Sequence, residues 1–120
     1  MTPLSQYVFI HPTFTAHAGR MEEIHSLQEE FVANTQTGPL CLFYDFTANE
    51  DLIFCREGYH GVAGAMANLE NVGELLGKML NMADLIRIDF HGPAAELDQL
   101  RGPLAHLNAD FFVLRCGSGR

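Results

Sequence analysis

The chain has 120 residues, of which 48% are hydrophobic and 18% charged, and its formal net charge is -8. That length fits one domain, residues 1–120, and seven Lys and Arg in all exclude the dense basic patch that a nucleic-acid or anionic membrane surface needs. Three widely spaced cysteines, Cys41, Cys55 and Cys116, form no CxxC pair, so neither a zinc ribbon nor a redox dithiol is signalled.

The first residues lack the basic and apolar regions of a signal peptide. No apolar run approaches the roughly 20 residues of a membrane span. A cytoplasmic protein is expected. A chain of this size buries roughly two-thirds of its extended surface, so the abundance of Phe, Leu and Met points to apolar surface covered by a second subunit.

In chain order, Gln6 to Thr13 alternates with a period of two and is apolar on both faces, as in a strand covered on both sides. From Gly19 to Thr35 the period changes. Met21, Ile24, Leu27, Phe31 and Val32 recur at helical spacing among Glu22, Glu23, Gln28, Glu29 and Glu30. Thr37-Gly38-Pro39 is the expected stop. Strands follow at Leu40–Phe46 and Leu52–Tyr59, with Thr47 to Asp51 as the hairpin loop. A second helix is expected over Val62 to Met82, its apolar stripe being Val62, Ala65, Met66, Leu69, Val72, Leu76, Met79 and Leu80. Ala83 to His91 alternates again, with Ile86, Ile88 and Phe90 on one face and Arg87, Asp89 and His91 on the other. A short helix, Ala94 to Arg101, opens after Gly92-Pro93. Asp110 to Arg115 is a last strand, and residues 116–120 form a polar tail expected to fray.

The order is β-α-β-β-α-β with an added helix and strand. This predicts an α+β fold: a ferredoxin-like split βαβ with an antiparallel sheet. Helices cover one face of such a sheet. Because the strands are apolar on both faces, the other face is expected to pack against a second copy, giving a homodimer by sheet-to-sheet contact.

Three segments resemble the antibiotic biosynthesis monooxygenase-like domain of the dimeric α/β-barrel superfamily. His17-Ala-Gly-Arg-Met-Glu-Glu-Ile24 is similar to the family's entry into its first helix. Thr37-Gly-Pro-Leu-Cys-Leu-Phe-Tyr44 is similar to its helix-to-strand turn. Ile53-Phe-Cys-Arg-Glu-Gly-Tyr59, followed by Ala65 and Asn68, resembles its third strand and the helix after it. Tyr59 replaces the usual Trp, and Asn68 stands about where the family tends to place a His. The resemblance spans Tyr7 to Leu80 and implies a homodimeric barrel with a small cavity between each sheet and its own helices. Some members oxygenate aromatic phenols without metal or flavin, the deprotonated substrate supplying the electrons.

The expected activity is therefore that of a cofactor-independent monooxygenase-like enzyme acting on a small aromatic or polyketide-like substrate. The alternative is a non-catalytic dimeric module that binds a small ligand or serves as a structural partner. Glu57 and Tyr59 share strand parity and face one way. In an apolar pocket the Glu57 carboxyl would have the raised proton affinity that suits a general base. It would otherwise pair with Arg56 or cap the following helix. Glu57, His60 and Asn68 are the candidate catalytic residues, the imidazole of His60 being suited to proton transfer. His11, Tyr59, Phe9 and Met66 are the candidate contacts to a small apolar or aromatic ligand. Arg87, Asp89 and His91 read as a solvated or dimer-contact face. The six histidines lack HxH or HExxH spacing, and no phosphate-cradling glycine motif or GxSxG elbow occurs, so no metal or cofactor is expected.

Overall fold

A computed structural model describes residues 6–36, 38 and 40–118. Thr37 and Pro39 of the expected helix stop, and the last two residues of the tail, lie outside the described residues. The elements are β1 (Val8–Ala16), α1 (Met21–Thr35), β2 (Cys41–Asn49), β3 (Leu52–Tyr59), α2 (Val62–Met79), β4 (Ala83–Gly92), α3 (Ala94–Arg101), a 3-10 turn (Ala105–Leu107) and β5 (Asp110–Val113). The strand order in the sheet is β2-β3-β1-β4-β5. The first four strands pair antiparallel, as a split βαβ requires. β5 pairs parallel to β4, so the sheet is mixed rather than wholly antiparallel. The crossover through α3 is what brings β5 alongside in that direction.

The helices lie on one face. One cluster joins Phe14 and Ile53 of the sheet to Ile24, Leu27 and Phe31 of α1 and to Val72 and Met79 of α2. A second joins Val8, Ile10, Tyr59 and Phe90 to Ala65 of α2 and to Leu97 and Leu100 of α3. α2 is shared by both, and its period keeps Gly64, Ala65, Asn68, Val72, Leu75 and Met79 inward. It ends at Met79, three residues earlier than the apolar pattern indicates, which leaves Leu80 at the cap and 45% exposed.

Several strand boundaries differ from the sequence pattern, and β5 ends at Val113 rather than Arg115. β1 runs on to Ala16 because Phe14 continues the inward set. β2 runs on to Asn49, and the hairpin closes on Glu50 and Asp51, with Glu50 in the left-handed region at φ 56°. A bulge interrupts the β1–β4 ladder between Thr13 and Phe14, so Leu85 pairs with Phe14 while Arg87 pairs with Thr13. Ile86 is the extra residue. It is 55% exposed instead of joining Ile88 and Phe90.

Gly64 sets the distance between α2 and the sheet. A Cβ there would lie 2.8 Å from Leu40 Cβ, 3.1 Å from the Leu40 carbonyl oxygen and 3.3 Å from Tyr59 Cβ. Helix propensity alone would make Gly64→Ala stabilising by up to about 1 kcal/mol. Overpacking against backbone costs about 1–3 kcal/mol and should win. Gly64→Ala is expected to lower the thermal midpoint by several degrees in a melting experiment, and a raised midpoint would show that Leu40 yields freely.

Candidate functional site

Alternation along β3 turns Ile53, Cys55, Glu57 and Tyr59 toward the helices, while Arg56 points to the opposite face. Glu57 pairs across the ladder with Ile10 of β1 and Tyr44 of β2. Its carboxyl is buried and forms no ion pair among the described residues: Arg56 is committed to Asp45, at 3.0 and 2.9 Å. Hydrogen bonds take the cation's place. The Tyr59 hydroxyl donates to Oε1 of Glu57 at 2.6 Å, and the Cys55 thiol donates to Oε2 at 3.4 Å. Nδ2 of Asn68 donates to the Tyr59 oxygen at 2.7 Å, and the Thr35 hydroxyl donates to Oδ1 of Asn68 at 3.3 Å. Thr35, Asn68 and Tyr59 are all buried.

The donors run in one direction, from α1 through α2 to β3, and end on the carboxyl. Burial pushes the Glu57 carboxyl from the ordinary 4.5 up to about 7, against the opposing pull of the bonds from Tyr59 and Cys55. At neutral pH both its protonated and ionised forms are populated, so it can take or give a proton. Burial, and then the Glu57 charge, push the Tyr59 and Tyr44 hydroxyls and the Cys55 thiol well above their usual ranges. These groups stay protonated and serve as donors.

Glu57 opens onto an apolar cavity between sheet and helices, lined also by Phe31, Tyr44, Phe46, Leu76 and Met79. Its volume is about 40 Å³, room for very few waters and far below the roughly 300 Å³ of an ordinary ligand pocket. Glu57 is the sole carboxyl among the described residues that line it.

The structure thus brings together three of the sequence-derived candidates: Glu57, Tyr59 and Asn68. The other candidates are placed elsewhere. His60 is exposed, and its ring meets Tyr7 edge-on at 5.1 Å. Met66 packs into the Tyr59–Phe90 core. Phe9 and His11 have the parity opposite to Ile10 and lie on the outer face of the sheet. There Phe9 stacks on Phe43 at 6.0 Å, and His11 stacks on Phe54 at 5.7 Å. His91 is 5.3 Å from His11 on that face, and Asp89 accepts from Nε of Arg87 at 2.7 Å. Burial and His91 lower the pKa of His11, whose Nδ1 is buried without a hydrogen-bond partner among the described atoms. Among the described residues, no group of three or more His, Cys, Asp or Glu is placed to hold a metal.

Sequence reasoning passed over Thr35 and Tyr44, and read Cys55 as a small core residue, a nucleophile only if exposed; it is buried. Cys55 carried a usable signal, since it shares strand parity with Glu57. Tyr44 becomes visible only once the hairpin register is known. Thr35 gives no signal beyond its place in the last turn of α1.

No family model and no curated protein matches the chain. Among solved structures, MupZ from Pseudomonas fluorescens superposes with a TM-score of 0.92 at 33% identity, over 96% of this chain and 95% of that one. The chain belongs to the family of MupZ, within the antibiotic biosynthesis monooxygenase-like fold. More distant neighbours share the fold. A structure named as an antibiotic biosynthesis monooxygenase has a TM-score of 0.61 at 16% identity, over 69% of this chain and 92% of its own. A conserved protein from Methanosarcina mazei has a TM-score of 0.69 at 10% identity, over 74% of this chain and 94% of its own. No described helix is long and apolar enough to cross a membrane.

The raised proton affinity of Glu57 is a stability effect with a definite sign. The folded state holds the proton to higher pH than the unfolded chain, so folding loses stability as pH rises from about 4.5 to about 7. The full cost, about 3 kcal/mol for a shift of this size, is reached above pH 7. Glu57→Gln removes that dependence. In urea denaturation across pH 4 to 8, the variant should gain on the wild type through this window, while a difference that stays flat with pH would count against the raised affinity.

Proposed function

We propose that this protein is an enzyme of the monooxygenase-like family that uses Glu57 as a general acid–base on a small aromatic or polyketide-like molecule. The observation that carries this reading is the Glu57 carboxyl. It is buried, without an ion pair among the described residues, held by Tyr59 and Cys55, and turned toward an apolar cavity. Carboxyl groups with proton affinity raised to near neutrality are suited to such work. Asn68 carries no titratable proton at neutral pH. Its part is to position Tyr59, which leaves Glu57 as the proton carrier.

The proposed first step is removal of a proton from a phenol or an enolisable carbon by the Glu57 carboxylate. The electron pair left on the substrate then attacks O2, forming a carbon–oxygen bond. The peroxide anion recovers a proton from Glu57, and loss of water gives a carbonyl. Oxygen is the only oxidant required, and the substrate is what it oxidises. The same fold serving as a non-catalytic ligand-binding or structural module is the second reading, favoured by the 40 Å³ volume of the cavity.

We place the protein in the cytoplasm as a homodimer joined through the outer face of the sheet. Phe43, Phe54 and Phe112 are 41%, 37% and 42% exposed on that face, a large apolar area for a monomer to leave open. Gly58 makes room for Phe43 to lie across the sheet, since a Cβ there would stand 2.5 Å from its ring.

Two measurements bear on this function. Oxygen uptake with a quinol-type substrate should rise with pH through about 7, as Glu57 ionises. It should fall by about 100-fold or more in Glu57→Gln and by a smaller factor in Asn68→Ala. Unchanged uptake in Glu57→Gln would sink the assignment of the base. Light scattering should give twice the 13.3 kDa chain mass for the wild type and a monomer for Phe43→Asp, whereas a wild-type monomer would remove the sheet-to-sheet pairing.

A further inference from the structure

A cavity of about 40 Å³ must widen to admit an aromatic molecule, and the structure restricts where this can happen. On the α1–β2 side the wall is Phe31, Tyr44 and Phe46. Their rings meet one another at 6.5 Å for Phe31–Tyr44, 5.7 Å for Phe31–Phe46 and 5.6 Å for Tyr44–Phe46. Beyond Tyr44 and Phe46 lies an open groove of about 660 Å³, bordered by His25, Gln28, Glu29 and Val32 of α1. The same two side chains therefore line the cavity and the groove.

We propose that ligand enters the Glu57 cavity through this aromatic wall, with Phe46 as the moving leaf. The proposal rests on the reading of Glu57 as the centre of a ligand cavity.

The three rings are not equivalent. Phe31 is buried in the α1–α2 core. Tyr44 pairs directly across the ladder with Glu57, so moving it disturbs the backbone beside the carboxyl. Phe46 is half-buried and has no polar anchor. It also sits on β2, an edge strand with a single neighbour, β3, so its displacement disturbs one ladder only. Swinging Phe46 aside breaks no buried hydrogen bond.

The competing route fails that condition. A groove of about 310 Å³ lies on the other side, at Gly38, Leu40, Cys41, Gly64, Ala67 and Asn68. Asn68 lines this groove and bonds Tyr59, which bonds Glu57 of the cavity. Passage there would break the Asn68–Tyr59 bond that orders the carboxyl and would separate Gly64 from Leu40, which are in close contact.

The test is stopped-flow binding of 2-naphthol, followed by its own fluorescence, to the full chain. Near-ultraviolet circular dichroism checks that each variant is folded. Phe46→Ala should raise kon by tenfold or more, Phe46→Trp should lower it, and Ala67→Trp, which fills the competing groove, should leave it unchanged. Phe46→Leu is the milder variant, expected to raise kon severalfold should the alanine variant not fold. Binding whose kon ignores Phe46 but falls in Ala67→Trp would overturn the entrance alone and leave the cavity reading standing. Failure of 2-naphthol to bind the wild type and every folded variant would overturn both.

Discussion

An ionisable carboxyl buried without a cation is the constraint around which this molecule is arranged. Removing a carboxylate from water is expensive, and a protein can answer with a counter-charge, with protonation or with hydrogen bonds. The nearest candidate cation, Arg56, is turned away by strand alternation and held by Asp45. Hydrogen bonds must carry the load, and the raised proton affinity of Glu57 shows that they carry only part of it. Each donor is itself buried and needs a partner. Tyr59 therefore requires Asn68, and Asn68 requires Thr35. The chain of requirements threads β3, α2 and α1, and so fixes the rotation of both helices about their axes relative to the sheet. Packing alone, which tolerates hydrophobic exchange of similar volume, fixes that rotation less strictly.

Much of this was legible in the sequence because it rests on periodicity. Ile24, Leu27 and Phe31 repeat at helical spacing, and α1 buries all three, with Thr35 beside them. Glu57 and Tyr59 share parity on a strand, and they share a face. Asn68 sits among Ala65 and Val72 at spacings of three and four, so helical geometry turns it inward with them. What periodicity cannot supply is register between strands. Reading Thr47 to Asp51 as a loop pairs Phe46 with Leu52, whereas the observed turn pairs Asn49 with Leu52. The shift is three residues, an odd number, and it exchanges the two faces of β2. Tyr44 moves from the outside to the Glu57 side as a result. The left-handed conformation of Glu50 that closes the tighter turn is uncommon for a residue with a side chain, and composition does not announce it.

The β4 bulge has the same character. Strict alternation from Ile86 would make Leu85 an outward residue. One extra residue at Ile86 instead lets Leu85 and Ile88 both reach the helix side. The strand thereby serves the Phe14 core at one end and the Phe90 core at the other. Nothing local marks the site of the insertion. It is dictated by where β1 places Phe14, a contact between residues about seventy positions apart.

The C-terminal addition completes the arrangement by covering the β4 side of the sheet with a further strand and helix. Leu97 and Leu100 of α3 are fully buried against the second core, Phe111 of β5 stacks on Phe90 at 5.2 Å, and Arg101 lies 4.6 Å over the Phe111 ring. β5 replaces β4 as one edge of the sheet, and β2 remains the other. MupZ spans 96% of the chain, and the Methanosarcina mazei neighbour spans 74%. In this chain the segment beyond β4 supplies α3, the 3-10 turn and β5. An addition there stiffens the Tyr59 end of the cavity from behind, through Phe90, Leu97 and Leu100. It adds nothing over Tyr44 and Phe46. The network that holds the carboxyl is thus backed by a larger core, while Tyr44 and Phe46 of the cavity wall stand on an edge strand. The carboxyl is thereby fixed by buried groups from three elements, while its cavity is closed on the β2 side by ring contacts.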